Sequence, residues 1–373
     1  MQTKYLVLGA GLAGAATAWR LAQHGEEVVL AEATTPANAG GSSHGSARIF
    51  RHAYPDEFHS ALTVRALDGW RELEAASGEA ILTITGGLDF GDGRDLDGIV
   101  ASLTRLGLDN ERLSAGAAME RWPQHRFDGD VVHHAGAGVI DAERAVLTMV
   151  EQARLAGAQV LTGWAAAAIR ECPTGQVVTS TDGQEIDCAV LIVSAGAWLP
   201  ELLDVLPGEW AARLPPLVVT QQQAFHFAFP ESVGDPTDWP IFVNKDRLSV
   251  YSLPGGRDAG FRGFKIAEHD FGLPTTASGR DGLVRREARE RIIDYVRRQL
   301  PDVEPVPYAE TTCLYTSTPT ENFVIDRIGS IVVASPCSGH GAKFAPLLGE
   351  LIADVATGTA DAPDLFRLPA HAA

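Results

Sequence analysis

Five short segments hold the residues whose types and spacing could do chemistry. Residues 9–14 read "GAGLAG", so Gly9, Gly11 and Gly14 stand at G-x-G-x-x-G spacing between an apolar run and a stretch of helical periodicity. That context suits a pyrophosphate. Gly9 allows a tight turn, Gly11 close backbone approach and Gly14 close helix packing, while a helix N-terminus turns free N–H groups and positive potential toward the phosphates. Glu32, at the tip of the next strand, can accept hydrogen bonds from a ribose. Residues 40–54, "GGSSHGSARIFRHAY", carry Ser42, His44, Arg48, Arg51 and His52. "GFKIAEH" carries Lys265 and His269, "ETTCLYTSTPTENFVID" carries Cys313 and Tyr315, and "CSGHGAKF" carries Gly339, Gly341 and Lys343. An Arg fork suits a carboxylate, a Lys adds a point charge, and a thiolate is a nucleophile.

The elements that must position these residues follow from periodicity. Residues 5–8 and 28–31 are short apolar runs of the kind that form buried parallel strands, and 13–24 has helical spacing closed by Gly25, which together make one βαβ unit. The Gly-, Ser-, Thr- and Asn-rich stretch 33–46 predicts an irregular loop. Helices are expected at 57–76, 96–106, 115–121, 142–156, 287–300 and 345–357, the fourth capped by Asp141. Strands are expected at 81–90, 131–139, 159–161, 176–180, 189–193 and 331–335. From 217 onward, strand-like runs alternate with Gly and Pro turns. The pattern predicts an α/β chain in which a Rossmann-like domain (1–80, 141–215, 311–373) holds an inserted, mostly antiparallel α+β substrate domain (81–140, 216–310). The fingerprint does not choose between NAD and FAD. "VLIVSAGAW", a strand running into Ser194-Ala195-Gly196, is similar to the strand and turn beside the adenosine half in two-domain flavoproteins, which favours FAD.

The chain has 373 residues and a net charge of −18, which argues against a nucleic-acid partner. Its four cysteines, Cys172, Cys188, Cys313 and Cys337, show neither disulfide-framework nor zinc spacing, so no metal and a reduced, cytoplasmic setting are expected. No leader and no membrane-spanning run is read at the sequence level. His133 and His134 are adjacent on a strand and face opposite ways, so they cannot chelate together. Cys337 reads as packing, and the basic helix at 285–298 as a solvated face.

With these motifs in hand, the chain resembles the monomeric sarcosine oxidase and N-methyltryptophan oxidase group of flavin amine oxidases. The resemblance spans nearly the whole chain and is sharpest in the N-terminal βαβ unit, "RIFRHAY", "CLYTSTPTENFVID" and "SGHGAKF". It implies FAD bound covalently through Cys313, with His44 and Arg48 as the basic groups of the attachment loop. Arg51 and Lys343 match the grip on a substrate carboxylate, and Lys265 matches the lysine that promotes reaction with molecular oxygen. Tyr251, His269 and Tyr315 match groups lining the amine site. Gly339, Gly341 and the backbone through Lys343 fall near the flavin pyrimidine edge. One departure stands out: the group's loop commonly reads Gly-Ser-His-His-Gly-Asp-Thr-Arg, and here Ser43, Ser46 and Ala47 replace a histidine, an aspartate and a threonine. The implied reaction is oxidation of a secondary amino acid such as sarcosine to an imine, with hydrogen peroxide as co-product, by a monomer. Oxidation of a cyclic imino acid, a dehydrogenase with another electron acceptor, and a non-catalytic flavin or NAD protein are the rival readings.

Overall fold

The first apolar run becomes the strand Gln2–Leu8, which pairs in parallel with Val28–Glu32 on one side and Glu185–Val193 on the other. Successive side chains point to opposite faces, so one strand feeds two cores. Tyr5 and Val7 pack beneath helices, whereas Leu6 and Leu8 pack with Leu191, Val193 and Trp210. The computed structural model describes residues 1–207, 209–269 and 272–369. Among these the parallel core extends to an eight-stranded sheet. Its order is Ala166–Cys172, Gly175–Ser180, Glu185–Val193, Gln2–Leu8, Val28–Glu32 and Gln159–Thr162, with Ile331–Ser335 added beside Glu185–Val193 and Val324–Ile328 beside Ile331–Ser335.

Three helices cover the face beneath Tyr5 and Val7: Leu12–Gln23, Ala142–Leu155 and Ala345–Thr357. Asp141 caps the second, its Oδ1 accepting from Arg144 N at 3.0 Å. The first has no side-chain cap from its own N-cap residue, Gly11, which leaves its N-terminus turned toward the ligand cavity. Gly9, at φ +98°, makes the strand-to-helix turn, and a Cβ on Gly14 would lie 1.9 Å from the Gly9 carbonyl oxygen. Only glycine permits that approach.

A second sheet, nine-stranded among the described residues, runs Leu273–Pro274, Val218–Ala228, Gly263–Glu268, Ser249–Pro254, Ile241–Lys245, Gly87–Phe90, Val131–His134 and Glu111–Leu113. Its pairs are antiparallel except for Ile241–Lys245 with Gly87–Phe90. Ala309–Ser317, which carries Cys313, also pairs with Val218–Ala228. The helix Arg286–Gln299 lies on this sheet. Its charged residues face out, but Ala288, Ile292, Tyr295 and Val296 are buried, so it covers a core as well as presenting a solvated face.

Two expected strands break. The run 81–90 divides into Leu82–Ile84 and Gly87–Phe90, and the run 131–139 into Val131–His134 and Gly138–Ile140. The inner pieces join the nine-stranded sheet. The outer pieces form a small sheet with Arg48–Phe50. Gly86, at φ +74°, makes the corner between the first pair, and alternation continues smoothly across such a corner. Two strands carried little signal: Ala166–Cys172 is an edge strand of largely exposed residues, and Val324–Ile328 follows a Thr- and Pro-rich run. His133 and His134 face opposite ways. His134 Nε2 meets Asp89 Oδ2 at 3.0 Å, while the His133 ring packs 5.1 Å from Trp122.

The contact between Leu12–Gln23 and Ala345–Thr357 joins the two ends of the chain. A Cβ on Gly349 would sit 2.5 Å from the Ala16 carbonyl carbon. Overpacking of this kind costs about 1–3 kcal/mol. Gly349→Ala should therefore lower the unfolding free energy by that amount, read as a lower urea midpoint at unchanged slope; a wild-type midpoint would mean that the helices separate at no cost.

Candidate active site

A cavity of about 810 Å³ lies where the two sheets meet. That is within the range of sites that take cofactors and small ligands. One end is lined by Gly9, Gly11, Glu32 and Gly196, and the other by Arg51, Tyr251, Lys265, His269, Tyr315 and Lys343. Cys313, Ser42, Arg48, Gly339 and Gly341 lie along the same wall. The structure thus gathers the sequence-predicted site residues around one space, except His44 and Gly14, the latter packed against the Gly9 carbonyl. His44 stands just behind the wall with its Nε2 buried and unpartnered. Burial, with Arg48 and Lys265 nearby, pushes its imidazole down to about 4, so Arg48 carries the positive charge of this loop.

At the glycine-rich end, Glu32 is the organising acid. Its Oε2 accepts from Ala10 N at 2.8 Å and its Oε1 from Thr34 N at 2.9 Å. These bonds hold the turn in shape and fix the carboxylate at the cavity edge. Leu12 N donates to Ser43 Oγ at 3.0 Å, so Ser43 caps the first helix from outside it. Ser194 Oγ and Thr316 Oγ1 are buried on the cavity wall without partners. Buried polar atoms are rarely left unsatisfied. Together with the glycine turn and Glu32, these orphans fit a dinucleotide such as FAD.

The glycine-rich loop is tied to the cysteine strand. Ser42 Oγ donates to Leu314 O at 2.7 Å, and Arg48 Nη2 donates to Ser42 O at 3.0 Å. Cys313 is a half-buried free thiol on this strand. Beside it, Tyr251 and Tyr315 interact through their hydroxyls, and burial is the main cause raising both phenols, Tyr251 to about 12. Gly339 allows the Tyr315 ring its place, because a Cβ there would lie 2.6 Å from the ring edge and φ is +74°.

Lys265 sits on Gly263–Glu268, buried, with Nζ 3.5 Å from Ala47 O. Burial, with Arg48 adding to it and Cys313 and Asp258 opposing, lowers its ammonium to about 8. His269 packs 5.7 Å from the Tyr315 ring, and burial pushes it down to about 4, so its imidazole is neutral at neutral pH.

Arg51 and Lys343 form the other pole. The Arg51 guanidinium lies 4.6 Å from the Tyr54 ring centroid and Lys343 Nζ 5.5 Å from the same centroid. Burial lowers both, and Arg51 adds to the effect on Lys343. Lys343 Nζ donates to His340 O at 2.7 Å, while Arg51 Nη1 has no hydrogen-bond partner among the described residues. Neither cation has an ion pair among the described residues. The 3₁₀ turn Gly341–Phe344 and the helix Ala345–Thr357 begin at this wall, which adds the positive end of a helix dipole.

Sequence reading missed four residues here. Tyr54 was inside a quoted motif, but nothing in the motif marked its ring as the platform between two cations. His340 bridges Tyr54 Oη at 3.0 Å and Glu321 O at 3.1 Å, which fixes the turn that carries Lys343. Arg94 reaches the cavity and is neutralised by buried Asp89 at 2.6 Å. Their separation in sequence from Arg51 leaves no local signal. In contrast, His52 turns away, with Nδ1 2.7 Å from Thr63 Oγ1. Cys337 is at the wall, and burial pushes its thiol up to about 11, the behaviour of a packing cysteine.

Comparison with known proteins agrees with this geometry. The family model described as FAD dependent oxidoreductase matches residues 4–355. The monomeric sarcosine oxidase of Streptomyces avermitilis is 30% identical over 96% of this chain and 94% of its own length. The N-methyl-L-tryptophan oxidase of Salmonella enteritidis is 29% identical over 99% of both chains. Among solved structures, the open form of NikD, described as an unusual amino acid oxidase essential for nikkomycin biosynthesis, superposes with a TM-score of 0.85 at 24% identity over 98% of this chain and 96% of its own, a likeness of fold. A dinucleotide turn, a cavity at the seam of two sheets and full-length relatives all point one way: the chain belongs to the FAD-dependent oxidoreductase family, in its sarcosine oxidase and N-methyltryptophan oxidase group, and is an FAD-dependent amine oxidoreductase.

Proposed function

We propose that the enzyme oxidises a secondary amino acid, an N-methyl or N-alkyl amino acid such as sarcosine, to an imine that hydrolyses to the amino acid and an aldehyde. Molecular oxygen is the electron acceptor, and FAD is held covalently through Cys313. The observation that carries this reading is the pair of buried cations, Arg51 and Lys343, with one guanidinium nitrogen left unpartnered. Two desolvated positive charges without a carboxylate are costly until an anion arrives. A substrate carboxylate supplies it.

FAD, when bound, takes up the hydride equivalent of the substrate C–H bond and passes the electrons to oxygen. The chain's own residues do the rest. Arg51 and Lys343 fix the carboxylate and thereby orient the amine. The amine must be neutral to react, and a nearby pair of cations lowers its proton affinity. His269 is neutral and positioned to hydrogen-bond the amine, with Tyr251 and Tyr315 closing that side. Lys265 places a cation where superoxide charge develops. Arg48 holds the loop against the Cys313 strand, which supports thioether formation at that thiol.

Acid precipitation tests the covalent assignment. Yellow flavin should stay with the washed wild-type chain and be lost from Cys313→Ala; flavin that washes off both refutes the attachment. A panel of sarcosine, larger N-methyl amino acids, proline and pipecolate identifies the substrate class, and turnover restricted to the cyclic compounds would replace the N-alkyl reading. Arg51→Gln and Lys343→Met should each lower kcat/KM by roughly 10–100-fold, the worth of about 1.5–3 kcal/mol for a hydrogen bond to a charged group. The loss should be much smaller for an amine lacking the carboxylate, where only the effect on the amine's proton affinity remains; equal losses on both substrates would place the two residues elsewhere in the reaction.

A further inference from the structure

Lys265 is a buried ammonium in a predominantly cationic pocket, and the groups facing it explain how it stays charged. Arg48 and His44 approach from the glycine-rich loop, Cys313 from Ala309–Ser317, His226 from Val218–Ala228 and Asp258 from the turn Arg257–Ala259. Both histidines are neutral, held down to about 4 mainly by burial. His226 lies directly across from Lys265 in the sheet register and is buried. Arg48 repels the ammonium. Cys313 ceases to be an acid once its sulfur is bonded to carbon. Asp258 is then the carboxylate left among these groups.

The position of Asp258 is built rather than incidental. Ser46 Oγ donates to Asp258 Oδ1, and Asp258 N donates back to Ser46 Oγ at 3.1 Å. The turn is pressed onto the loop so closely that a Cβ on Gly256 would lie 2.1 Å from Ser46 Oγ, and one on Gly45 would lie 2.8 Å from Asp258 Oδ2. Arg257 anchors it to Asp141 at 3.0 Å, and Tyr308 Oη donates to Ala259 O at 2.9 Å. The Ser46 bond and the charge of Lys265 keep the Asp258 carboxyl below its ordinary range despite burial.

Resting on the assignment of Lys265 to the oxygen step, we propose that Asp258 is a positioning residue. Its carboxylate, clamped onto the glycine-rich loop by Ser46, is the counter-charge that keeps Lys265 protonated beside the reacting centre.

The chain has four lysines, Lys4, Lys245, Lys265 and Lys343, so lysine-labelled holoenzyme gives four resolvable side-chain NMR titrations. Lys265→Met identifies the Lys265 signal. In wild type its midpoint is expected at about 8. In Asp258→Asn it should fall by about one unit, with a shift in the same direction in Ser46→Ala and recovery in Asp258→Glu. Reoxidation of the anaerobically reduced enzyme in air should slow about five-fold at pH 8 and hardly change at pH 6, as a one-unit fall requires. The sign follows from the lysine: the cation is lost as pH rises through its pKa, and a lower pKa moves that loss to lower pH. A midpoint unmoved in both Asp258→Asn and Ser46→Ala overturns the proposal. A Lys265→Met enzyme that reoxidises at the wild-type rate overturns instead the oxygen assignment; a midpoint that still moves in Asp258→Asn then upholds the coupling to Asp258.

Discussion

Two cations, Arg51 and Lys343, share one aromatic ring inside the protein, and neither forms an ion pair among the described residues. Desolvation on this scale favours deprotonation or an incoming anion. The surroundings hold the cations in place instead. Tyr54 offers its ring face, His340 O accepts from Lys343, and Trp70 Nε1 donates to Lys343 O at 2.8 Å, tying the turn to a neighbouring helix. Asp89 is near enough to matter electrostatically, but it is bound to Arg94 and His134. The site therefore keeps unspent positive potential at one end of a cavity whose other end is a phosphate turn.

The two sheets divide the work. The parallel sheet places a glycine turn and a helix N-terminus at the tips of its strands, the usual location for a dinucleotide in such a sheet. The antiparallel sheet brings Tyr251, Lys265 and Cys313 on neighbouring or near-neighbouring strands. The loop at residues 40–48 joins them, hydrogen-bonded to the Cys313 strand through Ser42 and to the helix start through Ser43. Burial then sets the protonation states. His44, His226 and His269 are all neutral, so these three add no positive charge to that of the arginines and lysines.

Much of this was legible in the order of residues. The βαβ unit, the helices with Asp141 as a cap, and the antiparallel character after residue 217 all follow from periodicity and turn chemistry. Failures came where periodicity cannot speak. A strand that changes sheets at Gly86 keeps its alternation, and an exposed edge strand such as Ala166–Cys172 has no apolar face to announce it. Within the site, Cys313, Lys265 and Lys343 were visible as motif residues, whereas Asp89, Arg94 and Asp258 were ordinary charges on the surface of the text.

The sequence alone determined which chemistry was within reach: a glycine turn for phosphates, a thiol, an arginine fork and two lysines. Local rules suffice for these, because a turn and a helix start are set by a few neighbouring residues and each side chain's functional group is fixed by its type. Only the tertiary structure decided which charges compensate one another. Arg94 is silenced by Asp89, Lys265 is faced by Asp258, and Arg51 is left open to a ligand. Electrostatic interaction depends on separation in space and on desolvation, and neither is encoded at any fixed distance along the chain.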